Sequence, residues 1–272
     1  MYLIMDDRAI WMLVLVFLFG AIMIYFVWKR VGNKKIVNSV IPSTEQIQAV
    51  LTAHVGFFNR LSKDQQEVFI SRVAYFLKTT KISPEKGVSI TDEHRVLVAA
   101  SATIPLFHFH NWSYENLDEV LIYPGTFNEK YNTAEEKRNI LGMVGDGAMH
   151  RKMILSLPAL LAGFSKNSDG NTAIHEFVHL IDKADGEVDG IPEYLIPKEL
   201  IQPWLEEMHQ TISAIRRDKS DIRDYAATNP AEFLAVVSEY FFQKPKLLKE
   251  DHPELYELLD EIYSDKKDAS AS

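Results

Sequence analysis

The chain has 272 residues, a formal net charge of −9 and no cysteine, with 47% hydrophobic residues. That charge argues against nucleic acid as a partner, because phosphate contacts need a basic surface. The lack of cysteine excludes disulfides and thiolate metal sites, so any metal ligands must be His, Asp or Glu.

Residues 1–8 form a short N-terminal tail, and Ala9 to Trp28 then runs without a charged side chain. Twenty helical residues rise about 30 Å, the hydrocarbon thickness of a bilayer. Trp11, Tyr25 and Trp28 stand near its ends as interfacial aromatics. A cleaved signal peptide fits poorly: Asp6 and Asp7 precede the apolar run and no small-residue cleavage site follows it. The segment 9–28 therefore reads as a retained transmembrane anchor. Lys29, Arg30, Lys34 and Lys35 follow it, against Arg8 before it. By the positive-inside rule this predicts a single-pass protein of the inner (plasma) membrane with its bulk in the cytoplasm.

A linker at 29–44 precedes the main domain, 45–250. From Thr44 the pattern is helical, with Ile47, Val50, Leu51, Phe57, Phe58 and Leu61 on one stripe. Ser62-x-x-Gln65 can cap a second helix whose Val68, Phe69, Val73, Phe76 and Leu77 face inward. Pro84 and Gly87 interrupt the chain before Val88–Ile90, a short strand by composition. A third helix runs from Glu93 to about Leu106, apolar nearly all round and so central. His108 and His110 would share a face in a strand and could bind metal there, but the Pro105 break favours a loop. Asp118–Pro124 reads as a strand. Thr133-x-x-Glu136 opens a helical stretch, and Gly142, Gly145 and Gly147 mark a bend. Lys152–Leu157 reads as a strand stopped by Pro158 and is the candidate edge for an extended peptide.

Asn171 to Gly186 reads N-T-A-I-H-E-F-V-H-L-I-D-K-A-D-G and contains H-E-x-x-H. Ile174, Phe177, Val178 and Ile181 recur at helical spacing, with Asn171 or Thr172 as cap and Asp185-Gly186 as stop. On that helix His175 and His179 lie one turn apart on one face and can grip one ion. Glu176 sits beside them, too far round to be the natural third ligand, and suits a general base acting on water.

A loop at 187–192 leads into helical patterns up to about Arg217. Asn229-Pro230 starts another helix, whose Phe233, Val236, Val237, Tyr240 and Phe241 give it a buried face. Pro245 breaks it. The region 251–272 holds a last short helix near Leu255–Tyr263 and a charged tail read as disordered. Helices outnumber short strands throughout, which makes the fold class α+β, mainly helical with a small sheet. A catalytic zinc takes three protein ligands and leaves one position open. Glu232 and Glu239 are the candidates for the third. Glu232 can instead be half of a capping box under Asn229, and Glu239 can instead orient a histidine.

The segment D-Y-A-A-T-N-P-A-E-F-L-A-V-V-S-E-Y-F-F, together with N-T-A-I-H-E-F-V-H-L-I-D, resembles the Mlc titration factor A family of zinc peptidases. It is more distantly similar to the catalytic domain of anthrax lethal factor. R-V-L-V-A-A-S-A at Arg95, V-L-I-Y-P-G-T-F at Val120 and I-L-S-L-P at Ile154 belong to the same resemblance, which spans about 45–250. The resemblance implies a zincin-like metallopeptidase domain of the gluzincin type with one Zn2+ held by His175, His179 and Glu232. It also implies Tyr225 as a catalytic residue beside Glu176, peptide or protein as substrate, and aminopeptidase activity. Its namesake role, binding the repressor Mlc, implies a transcriptional regulator as partner. The alternative reading is a membrane-tethered module that binds a transcription factor and uses zinc structurally.

Overall fold

The computed structural model describes residues 36–264 apart from 39, 86, 110–112, 127–139, 146–149, 166–167, 169 and 194. The expected anchor at 9–28, the Thr133–Glu136 stretch, His110 and the tail from 265 lie outside the described residues. No helix among the described residues is long and apolar enough to cross a membrane. Met1–Lys35 and Ile36–Ser272 are separate units.

The second unit begins with helix α1, Thr44–His54, the short α2, Gly56–Asn59, and α3, Lys63–Thr79. Two capping boxes start them: Ser43 with Gln46, and Ser62 with Gln65, each satisfying two otherwise orphaned donors. The single stripe expected from Thr44 to Leu61 is split at Val55, whose extended backbone ends α1. Strand β1 is Lys81–Pro84, not the expected Val88–Ile90, which is coil after Gly87 at φ 90°. A proline-terminated strand survives here because β1 is the edge of the sheet. Helix α4, Asp92–Thr103, is capped by Thr91 and His94 and is buried along most of its length. His108 follows it in a run of turns, its ring against Phe107, as the loop reading has it.

Strands β2, Glu119–Tyr123, β3, Gly142–Val144, and β4, Lys152–Ser156, complete a four-stranded sheet of order β1-β2-β4-β3. β1, β2 and β4 are parallel, whereas β3 runs antiparallel to β4 with Met143 opposite Ile154. Glu119 fixes the parallel register: its carboxylate meets Lys81 at 2.9 Å and Lys152 at 3.2 Å, one lysine from each neighbouring strand. The expectation that Lys152–Leu157 is a free edge is corrected. Both sides of β4 are hydrogen-bonded, to β2 and to β3, and the edge is the Gly142–Val144 segment read earlier as a bend. Three residues carry too little pattern to read as a strand; pairing with β4 makes them one.

Helix α5, Leu157–Gly163, leads to α6, Thr172–Asp182, and a 3-10 turn, Lys183–Asp185. Helices α7, Lys198–Ile215, α8, Pro230–Gln243, α9, Pro245–Asp251, and α10, Pro253–Tyr263, follow, with a 3-10 turn Asp224–Ala227 before α8. α9 was not expected: it starts at the very proline that ends α8, a residue suited to a first helical turn. α6 packs against α8, α4, α5 and the sheet, so the H-E-x-x-H helix is the centre of the core. Phe177 and Phe233, one from each of α6 and α8, are fully buried.

Candidate metal centre

The local sequence holds α6 in place at both ends. Asn171 caps it, its side chain accepting from the Ile174 N–H at 3.1 Å and donating to the Gly163 carbonyl at 3.2 Å. Gly163 has no room for a larger residue, since an added Cβ would lie 2.8 Å from Asn171 Cγ. At the other end Asp182, fully buried, accepts the Gly190 N–H. Gly190 also accepts from the Trp204 indole at 2.8 Å. It sits at φ 75° with Pro230 against its Cα, so the loop after α6 is locked to the first residue of α8.

α8 begins with Asn229 as cap, accepting from the Glu232 N–H at 2.9 Å. The Glu232 side chain does not complete a capping box. It turns to the histidines: Oε2 lies 3.0 Å from His175 Nε2 and 3.4 Å from His179 Nε2. The two Nε2 atoms are 3.0 Å apart. Among the described residues these three side chains form the one group able to hold a metal. Two-coordinate bonds of about 2.0–2.1 Å at tetrahedral angles subtend about 3.3–3.4 Å between ligand atoms. The observed triangle is close to that. Three lone pairs at such distances need a positive centre between them, which a divalent ion supplies and for which a proton competes. The charges agree. Burial opposes the His175 imidazolium, but Glu232 and Glu239 outweigh it and push its pKa up to about 10. Burial likewise opposes the Glu232 carboxylate, and the two imidazoles hold it well below the usual range.

Glu239 does not join the triangle. Seven residues after Glu232, two turns along the same face of α8, it reaches the far side of the His175 ring. Its Oε1 accepts from Nδ1 at 2.7 Å and from Arg223 at 2.8 Å, and its Oε2 accepts the Asn171 N–H at 2.7 Å. Burial would raise this carboxyl, but His175, Arg223 and Asn171 keep it ionised. An ionised acceptor fixes the proton of His175 on Nδ1 and aims the Nε2 lone pair at the triangle. His179 Nδ1 is buried with no hydrogen-bond partner among the described residues.

Glu176 is buried beside the triangle, and burial raises its pKa despite the neighbouring histidines. Gly142 of β3 lies directly against it: an added Cβ would stand 2.6 Å from Glu176 Cγ. Tyr225, on the 3-10 turn, is 52% exposed, and its ring stacks on His175 with centroids 5.9 Å apart. Burial of its hydroxyl and the adjacent Glu232 push its pKa up to about 12, so it is a hydrogen-bond donor at neutral pH.

The structure thus brings His175, Glu176, His179, Tyr225 and Glu232 to one place, with Glu239 behind His175. Sequence reading missed Gly142 and Arg223. Arg223 stands two residues before Tyr225 with no spacing signal of its own, and Gly142 is marked only as one of several glycines.

Comparison with known proteins gives relatives along most of the chain. An uncharacterized protein of Synechocystis is 31% identical over 229 residues, 79% of this chain and 82% of the relative. Mlc titration factor A of Pectobacterium atrosepticum is 29% identical over 239 residues, 82% of this chain and 87% of the relative. The protein of the same name from Klebsiella pneumoniae is 26% identical over 254 residues, covering 88% and 91%. The model of a family described as glucose-regulated metallo-peptidase M90 matches residues 28–264, which takes in His175, His179 and Glu232. The chain belongs to the M90 metallopeptidase family.

Proposed function

We propose that the chain is a zinc-dependent peptidase in which His175, His179 and Glu232 hold the ion. The observation that carries this is the triangle of ligand atoms at 3.0, 3.0 and 3.4 Å beside a buried carboxylate, in a member of a metallopeptidase family. When bound there, zinc supplies Lewis acidity, bringing water to a pKa of about 7 and polarising a carbonyl. Glu176 takes the proton from the attacking water and passes it to the departing amine nitrogen. Tyr225 donates a hydrogen bond to the carbonyl oxygen as negative charge builds on it. Glu239 keeps His175 turned so that Nε2 faces the ion. β3, the last strand of the sheet among the described residues, offers its outer side to an extended peptide. Gly142 on that strand places such a peptide next to Glu176.

The test is the Glu176→Gln variant of the full chain in a peptide-library digest, with metal content measured in parallel. Zinc retained with hydrolysis lost supports the reading; hydrolysis retained sinks it. Aminoacyl chromogenic substrates compared with internally quenched peptides separate an aminopeptidase, the form the resemblance favours, from an endopeptidase. We also place the domain on the cytoplasmic face of the plasma membrane through an anchor at 9–28. The support is the uncharged run and the four cations after it, and a C-terminal phosphatase fusion active on the outer side would reverse it.

A second reading has one observation in its favour: the Pectobacterium and Klebsiella relatives carry the name Mlc titration factor A. On that reading the chain binds a transcriptional regulator and zinc is structural. Glu176→Gln would then leave the cellular function intact.

A further inference from the structure

Away from the metal triangle, α2, α8, α9 and α10 enclose a pocket of about 360 Å3. Its walls are the rings of Phe57, Phe241, Phe242, Tyr256 and Tyr263. Phe241 is two residues from Glu239, which turns it to the opposite side of α8. The rings hold one another: Phe241 lies 5.4 Å from Tyr256 and 5.9 Å from Tyr263, and Phe57 meets Phe242 edge-on at 6.0 Å. The Tyr263 hydroxyl is bonded to Ser238 at 2.7 Å, so it presents its ring rather than a free polar group.

The rim is cationic. Arg60, Lys246 and Lys249 line it with Asp260 as the one carboxylate. Among the described residues none of the three cations is paired with a carboxylate: Arg60 donates to the Phe242 carbonyl at 2.7 Å, and Lys249 lies 5.0 Å over the Tyr256 ring. His108, which also lines the pocket, adds no charge, because desolvation and Arg72 push its pKa below the ordinary value. A net positive rim on a chain of net charge −9 is a local reversal of sign, and aromatic walls beneath it favour a flat apolar body. The volume is at the lower end for small-molecule sites, which suits one or two rings and excludes a folded partner.

We infer that this pocket binds a small aromatic carboxylate, its ring packed against the aromatic walls and its carboxylate at Arg60 and Lys249. A bare anion would leave the rings unused, and a neutral arene would leave the three cations unanswered. Guanidinium and ammonium donors to a carboxylate make charge-assisted bonds, about twice as strong as neutral ones. Raising the salt concentration should therefore weaken binding.

The probe is 2-naphthoate, titrated calorimetrically into the full chain in zwitterionic nanodiscs, with empty nanodiscs as the blank. Saturable binding of one molecule per chain is expected. Neutral 2-naphthol and the non-aromatic cyclohexanecarboxylate should each bind about tenfold more weakly or worse. Lys246→Gln with Lys249→Gln, both exposed side chains whose loss leaves the core intact, should weaken 2-naphthoate about tenfold while bound metal stays unchanged. Arg60→Gln should weaken it further. Absence of saturable binding, equal binding of 2-naphthol, equal binding of cyclohexanecarboxylate, or an unchanged affinity in the double lysine variant would each overturn the assignment.

Discussion

Gly142 is the position at which a single methyl group should separate catalysis from metal binding. A Cβ there would stand 2.6 Å from Glu176 Cγ, 2.7 Å from Oε1 and 2.9 Å from Cδ, where ordinary contact begins at 3.4 Å. Gly142 is not among the glycines with positive φ, so alanine fits the backbone and the strand can form. The strain therefore falls on the Glu176 side chain, which must retreat by 0.8 Å in a site where it is 6% exposed. A misplacement near 1 Å at a reacting group costs on the order of 10²-fold in rate. Gly142→Ala should thus lower kcat/KM for peptide hydrolysis about 100-fold. Stability should fall by at most about 2.6 kcal/mol, because overpacking of about 1–3 kcal/mol is partly offset by about 0.4–1 kcal/mol from the stiffer unfolded chain. The assay pairs initial rates on a quenched peptide with zinc content by mass spectrometry and a thermal melt. Activity within twofold of the wild type would refute the reasoning, as Glu176 would then not need its observed position. Activity and zinc lost together would show instead that the substitution disrupts the triangle.

Other consequences can be checked with the same preparations. Glu232→Gln should abolish zinc retention in a chelator competition, whereas Glu239→Gln should keep the ion and lower affinity by about 10–100-fold, since it removes the charge that orients His175; the reverse order would exchange their roles. Burial raises Asp182 from 3.8 to about 6 despite the Gly190 N–H. A carboxyl with a raised folded-state pKa binds its proton more tightly when folded, so its stabilisation is complete below about pH 4 and lost as pH rises through about 6. Asp182→Asn should therefore match the wild type near pH 4 and exceed it by up to about 3 kcal/mol at pH 8, as read by urea unfolding; equal stability at both pH values would contradict this. Gly190→Ala sets a Cβ against the Pro230 carbonyl at φ 75°. It should cost at least 1–3 kcal/mol of stability, roughly, by strain alone, and an unchanged melting temperature would remove Gly190 as the lock between α6 and α8. Chelation should lower the melting temperature, because an ion held at 100 times its Kd adds about 2.7 kcal/mol.

Several elements were legible before any coordinates. The boxes Ser43-x-x-Gln46, Ser62-x-x-Gln65 and Thr91-x-x-His94 mark helix starts. Sequence reading named the second box by residue type and placed a helix start at Thr91-Asp92-Glu93, but it did not name the first box, nor the third, in which histidine replaces the usual Glu or Gln. The Asn229-Pro230 start of α8 and the buried stripe through Phe233 and Val237 also follow from local rules. β1 and β3 do not, since short strands owe their existence to the partner they pair with and have little pattern of their own. The reading of Lys152–Leu157 as a free edge failed for the same reason: which strand lies outermost is a property of the sheet's order.

The sequence by itself determined the chemistry available at the centre: two imidazoles one helical turn apart with a carboxylate between them, and no thiol to compete for metal. Local rules left Glu232 and Glu239 both open, and only the family resemblance favoured Glu232; the tertiary packing of α8 on α6 sets them at different nitrogens of the His175 ring, because both point the same way from one helix and differ in how far along it they lie. Nε2 meets Glu232 at 3.0 Å and Nδ1 meets Glu239 at 2.7 Å. Helical periodicity sets which side of a helix a residue faces, but how far along its neighbour that side lands depends on the whole core between them.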